Sequence, residues 1–168
     1  IDRMVLAGHS MGGYLSVAYC ERYPQHVERL VLLSPVGVPD ENNPSFRERK
    51  ERIQSSFGTR AAFGVFRTLF ETTTVGSVLR SLPESQEQQL THNYVERRLP
   101  EISDPEERKA VADYLLYNNI LPGSGEYSIQ KVLNSDILAK KPLQHRIPKL
   151  QVKHVSFMYG TTDWMDTS

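Results

Sequence analysis

Arg3-Met-Val-Leu-Ala-Gly-His-Ser-Met-Gly-Gly-Tyr-Leu15 is the stretch on which the fold turns. Arg3 to Ala7 is a short apolar run ending at Gly8, as expected of a strand buried on both faces. Directly after it, Met11, Tyr14, Leu15, Ala18 and Tyr19 recur at helical spacing up to Arg22, and Tyr23-Pro24 stops the helix. Val27 to Leu33, with the apolar centre Leu30-Val-Leu-Leu33, reads as a second buried strand. Two strands joined by one helix form a βαβ unit, so the sheet is expected to be parallel and the class α/β.

Beyond Ser34-Pro35 the composition changes. From Val38 to Ala139 the chain is polar, broken only by apolar helical faces. Phe63, Phe66, Leu69 and Phe70 make one amphipathic stripe, expected to pack or to dip into a lipid interface. Ser103-Asp-Pro-Glu106 signals another helix: a cap residue, an early proline and a capping-box glutamate precede Val111, Tyr114 and Leu115. Asn118-Asn119 and Leu121-Pro122-Gly123 close it, and Gly123-Ser-Gly125 reads as a linker. Sheet signals then return. Pro142 opens a short helix carrying Leu143, Ile147 and Leu150, His154 to Tyr159 is a strand, and Gly160-Thr-Thr-Asp163 is the turn after it. The expected organisation is 1–38 and 140–168 as two parts of one sheet core, with 39–139 inserted as a helical cap.

Gly8-His9-Ser10-Met11-Gly12 matches G-x-S-x-G, in which a strained strand-to-helix turn lifts a serine hydroxyl above the sheet edge. Small residues at Gly8 and Gly12 are expected because strand and helix approach closely there. The Met11 N–H, at the helix start, is the expected oxyanion donor. A serine nucleophile needs a base, and the base needs an acid to hold its tautomer. Where this elbow occurs the chain order is serine, acid, histidine. Asp163, in the turn after the last strand, is a candidate acid, and Asp166 competes with it. All five histidines, at positions 9, 26, 92, 145 and 154, precede both acids, so the base is expected beyond Ser168. Because the chain opens in a strand pattern and ends just past another, it reads as an internal piece of a longer one.

Other chemistries find little support. Twenty basic and twenty acidic residues cancel, so no global charge favours nucleic acid. The histidines are scattered and Cys20 is the single cysteine, so neither a metal site nor a disulfide framework is expected, and no cofactor is implied. Cys20 lies within a helical pattern and is read as packed.

The wording of several motifs is similar to one branch of the α/β-hydrolases. Gly8-His-Ser-Met-Gly-Gly-Tyr-Leu15, Tyr23-Pro24 and Val27-Glu-Arg-Leu-Val-Leu-Leu-Ser-Pro-Val-Gly-Val-Pro39 carry the resemblance. So do Tyr117-Asn-Asn, Pro122-Gly-Ser-Gly-Glu126, Lys141-Pro-Leu and Tyr159-Gly-Thr-Thr-Asp-Trp-Met-Asp166. The branch holds the α/β-hydrolase domain proteins four and five and the fungal cardiolipin-specific deacylase. The resemblance implies a partial α/β-hydrolase fold: a parallel sheet with flanking helices and an inserted cap. It also implies a serine acylhydrolase of phospholipids or lysophospholipids, cardiolipin among them, with acyltransfer to a lysolipid in some members. Other members lack the serine and act as lipase co-activators, so a non-catalytic lipid-surface scaffold is the alternative. An intracellular setting at mitochondria, lipid droplets or the endoplasmic reticulum follows from the same resemblance. The acyltransferase motif H-x-x-x-x-D is absent here, since no histidine has an aspartate five positions later.

Overall fold

Parallel strands cannot be joined by a tight turn, so the segment between them must cross back along the sheet. In the computed structural model, which describes residues 2–161 and 163, α1 (Met11–Arg22) makes that crossing from β1 (Met4–His9) to β2 (Val27–Leu33). The third strand among the described residues, β3 (His154–Met158), lies on the other side of β2, giving the order β1-β2-β3 with both pairings parallel. Residues 44–132 supply α2 (Pro44–Ser55), α3 (Phe57–Thr72), α4 (Val75–Leu79), α5 (Glu84–Arg98), α6 (Pro105–Ile120) and α7 (Ile129–Val132).

The chain divides into two compact units, residues 1–65 with 131–168 and residues 66–130. In the first, α1 turns Val17, Cys20 and Tyr14 inward, and β2 contributes Leu30 and Leu32 to the same buried set. Burial of side chains of this size stabilises by about 1.5–3 kcal/mol each. Cys20 is packed as expected, and burial pushes its thiol pKa up, which suppresses the thiolate. Arg146 makes a two-pronged ion pair with Glu21 at 2.6 and 2.8 Å and lies 4.8 Å over the Tyr14 ring. The Tyr14 hydroxyl donates to Lys141 O at 3.3 Å. Both contacts tie α1 to the segment that leads into β3.

Two expectations are corrected here. β1 is not covered on both faces: its residues alternate in exposure and Val5 is 62% exposed. Val5, Ala7 and His9 are its exposed positions. The segment after Pro142 is not α-helical but forms two 3₁₀ turns, Leu143–His145 and Ile147–Lys149. Pro148 removes an N–H donor there, and only Leu143 of the expected apolar side is fully buried.

In the second unit, α5 packs on α6 through Thr91, Val95, Ala112 and Leu116. α6 begins as its sequence signals, except that the cap is Asp104 and not Ser103. The Asp104 carboxylate accepts the Glu106 N–H at 3.0 Å, and Pro105 occupies the first helical position. Gly123 is no plain linker residue: a Cβ there would come within 2.7 Å of Glu126 and 2.8 Å of the Tyr127 hydroxyl.

Candidate active site

The register places His9, Leu33 and Met158 level with one another. Three strands therefore end in one row, and the residues that follow them, Ser10, Ser34 and Tyr159, emerge at the carboxyl edge of the sheet. That edge is where open parallel sheets bind and transform ligands, because helix starts and loops converge there.

Ser10 sits between β1 and α1 with φ 52° and ψ −119°, outside the regions ordinary L-residues adopt. Hydrogen bonds on every side over-determine the turn. The Ser10 N–H donates to Leu33 O at 3.0 Å, and Ser10 O accepts from Gly13 N–H at 3.1 Å and Val36 N–H at 3.2 Å. Although Ser10 is the N-cap of α1, its hydroxyl makes no capping bond. A serine in this position ordinarily spends its oxygen on the helix; this one does not. Met11 is the first residue of α1, so its N–H is one of the orphan donors of a helix start.

The glycines divide unequally. A Cβ at Gly8 would lie 2.5 Å from the Gly12 carbonyl oxygen and 2.5 Å from Ser16 Oγ, and one at Gly13 would lie 2.8 Å from Pro35 Cβ. At Gly12 a Cβ would meet nothing within 4 Å among the described residues. Close approach of strand and helix thus demands glycine at positions 8 and 13, and not at 12.

Asp163 is half-buried in the turn after β3. Its Oδ2 accepts the Gly160 N–H at 3.1 Å and the Ser34 hydroxyl, while its own N–H donates to Gly160 O at 3.3 Å. Burial, and then the Asp163 carboxylate, push the Tyr159 phenol above its ordinary pKa. Asp166 lies outside the described residues. Ser34 carries no mark in the sequence beyond its place after the second apolar strand pattern. Its signal, a polar residue immediately after a buried strand, is too common to single it out.

Apart from His9, which ends β1 beside Ser10, the histidines belong to other segments. His26 and His154 stand at the starts of β2 and β3, the opposite edge from Ser10. The His26 Nδ1 pairs with the Tyr19 hydroxyl at 3.0 Å, and His145 Nε2 pairs with Asp40 at 2.9 Å. His92 lies in the second unit, 3.9 Å from Asp113. His9 is exposed at the end of β1. Among the described residues no cluster of three or more histidine, cysteine or acidic side chains could hold a metal, and no helix is long and apolar enough to cross a membrane.

Comparison with known proteins adds a family to this geometry. The family described as "alpha/beta hydrolase fold" matches residues 1–167. The pig (Sus scrofa) protein named 1-acylglycerol-3-phosphate O-acyltransferase ABHD5 is 28% identical over 167 residues, covering 99% of this chain and 45% of that protein. The human (Lyso)-N-acylphosphatidylethanolamine lipase is 27% identical over 174 residues, covering 100% and 47%. An Arabidopsis thaliana 1-acylglycerol-3-phosphate O-acyltransferase is 27% identical over 172 residues, covering 99% and 40%. The chain therefore spans less than half the length of these curated relatives. A crystal structure of a probable hydrolytic enzyme from Pseudomonas aeruginosa PAO1 aligns with 23% identity and a TM-score of 0.43, covering 99% of this chain and 45% of that one.

Proposed function

This chain belongs to the α/β-hydrolase fold family, and on that premise we propose that its full-length protein is a serine acylhydrolase of phospholipid or lysophospholipid esters. The observation that carries the reading is the Ser10 turn: a strained serine between strand and helix, its hydroxyl uncommitted to capping, followed by an orphan helix-start N–H at Met11. Relatives named as acyltransferases of acylglycerol phosphate and as a lipase of N-acylphosphatidylethanolamine support a lipid acyl ester as the substrate class.

In this reading the Ser10 oxygen attacks the acyl carbonyl carbon, and its proton passes to an imidazole from outside this chain. The Met11 N–H donates to the oxygen that becomes negative. Collapse of the tetrahedral intermediate breaks the ester bond, and the imidazole returns the proton to the departing lysolipid or alcohol. Water, or a lysolipid hydroxyl in the acyltransfer variant, then attacks the acyl-serine and restores Ser10. Asp163 or Asp166 orients the imidazole. No cofactor is needed for any of these steps.

One observation favours the alternative of a lipid-surface scaffold. α3 has no buried residue, and Phe66 and Leu69 are exposed on one side of it. Such a face suits an intracellular membrane or lipid-droplet surface, and it is compatible with the enzyme as well. Fatty-acid release from cardiolipin, from lysophospholipids and from N-acylphosphatidylethanolamine separates the two. The full-length protein is compared with its Ser10→Ala variant. Release that disappears with Ser10 supports the enzyme, and vesicle binding without Ser10-dependent release supports the scaffold.

A further inference from the structure

Ser34 holds a position that its sequence context does not explain. Its φ is 41°, in the left-handed region that glycine or asparagine ordinarily fills. The peptide group joining Leu33 to Ser34 serves both flanking turns. Its carbonyl accepts the Ser10 N–H at 3.0 Å, and its N–H donates to Met158 O at 2.9 Å, extending the β2–β3 ladder by one bond. The next two residues lock it in place. Pro35 is fully buried and lies where a Cβ on Gly13 would collide with it, and Val36 N–H bonds back to Ser10 O. From this fixed backbone the Ser34 hydroxyl donates to the carboxylate of Asp163, 129 positions later.

We propose that Ser34 is a positioning residue that selects Asp163, over Asp166, as the triad acid and holds its carboxylate in the orientation the imidazole needs. The proposal rests on the acylhydrolase reading and goes beyond it. A carboxylate that orients an imidazole must be held in one rotamer by fixed donors, since a loose one loses the tautomer and the angle together. Among the described residues the Gly160 N–H and the Ser34 hydroxyl are two such donors, and the second is anchored to the same peptide group as the nucleophile's own turn. The backbone conformation supports a role for the side chain. Glycine would adopt φ 41° without strain, and what serine adds at this position is the side chain that carries the bond to Asp163.

The competing explanation is a purely structural tie between two turns. Glycine at position 34 separates the two, because it relieves the backbone strain while removing the hydroxymethyl side chain, and Ser34→Ala removes the hydroxyl alone. In the full-length protein, hydrolysis of a p-nitrophenyl fatty-acyl ester is measured for Ser10→Ala, Asp163→Asn, Asp166→Asn, Ser34→Gly and Ser34→Ala, with thermal unfolding of each. Both Ser34 variants are expected to lower kcat about 10- to 100-fold, the size of one lost hydrogen bond to a charged group, with KM within about twofold. Ser34→Gly is expected to keep the parent's melting temperature, and Asp163→Asn to lose at least about tenfold more turnover than Asp166→Asn. Full kcat in Ser34→Gly overturns the proposal, as does a loss of activity matched by a loss of folded protein. Greater dependence on Asp166 than on Asp163 overturns it too, while leaving the acylhydrolase reading intact. Undiminished turnover in Ser10→Ala removes the acylhydrolase reading itself, and the proposal with it.

Discussion

Two regions of this chain gather polar side chains, and they use them in opposite ways. At the carboxyl edge of the sheet, Ser10 and Ser34 both sit at positive φ, and backbone bonds hold them there while the Ser10 hydroxyl is left out of the capping role. In the second unit Arg80 and Glu126 pair at 2.5 Å with side chains only about a fifth exposed. Thr74 donates to the same carboxylate at 2.5 Å, and Arg80 also donates to Asn119 O at 2.9 Å and Leu121 O at 3.1 Å. Gly76 and Gly123 leave room for the pair, since a Cβ at either would overlap Glu126. There the carboxylate and the guanidinium each engage several partners, and the network ties loops together. Polar burial alone therefore does not mark a site. Strain held in place around an uncommitted nucleophile is the better sign.

The largest effect that could break this comparison is on turnover. Ser10→Ala in the full-length protein is expected to reduce lipid-ester hydrolysis by about a thousandfold or more. Arg80→Met and Glu126→Gln should leave kcat/KM within a few-fold in whatever fraction stays folded. If those two also abolished turnover without unfolding, the contrast between a chemical and a structural cluster would fail.

A smaller effect sharpens the account of the elbow. Gly8→Ala forces a methyl group against the Gly12 carbonyl, a backbone atom with little room to yield, so urea unfolding should register a loss of about 1–3 kcal/mol. An unchanged midpoint would mean that β1 and α1 approach less closely than the Gly8 contacts require.

The acid network gives a prediction in pH. Hydrogen bonds from Arg80 and then Thr74 hold the Glu126 carboxyl below its ordinary pKa of 4.5. A depressed carboxylate lends its stability in full above the unfolded pKa and loses it as pH falls through the folded one. The helical circular-dichroism signal at fixed temperature should therefore decline as pH drops below about 4.5, and Glu126→Gln should flatten that decline. Parallel titrations of parent and variant would mean that the pair contributes nothing to this unit.

The smallest effect concerns Gly12. With nothing within 4 Å of a Cβ there, Gly12→Ala is expected to change stability by less than about 1 kcal/mol, in the stabilising direction, because alanine is the better helix former. Substantial destabilisation would show that residues beyond those described crowd this position.

Local signals were readable without coordinates because their partners lie a few residues away. The βαβ unit, the turn at Ser10, the proline-led start of α6 and the turn at Asp163 all follow from spacing within one or two turns of chain. The 3₁₀ turns after Pro142 and the open face of β1 are not legible in the apolar spacing, which reports a tendency and not what packs against it. Which of Gly8, Gly12 and Gly13 is sterically required depended on where Pro35 and Ser16 fall. Ser34 is the clearest case. Nothing near it in sequence announces a bond to Asp163, and only parallel strands ending in one row bring the two together. The crossover and the nucleophile's turn are written in residues that lie close along the chain. The tertiary structure alone decided which serine meets which carboxylate, because register joins residues that no local rule relates.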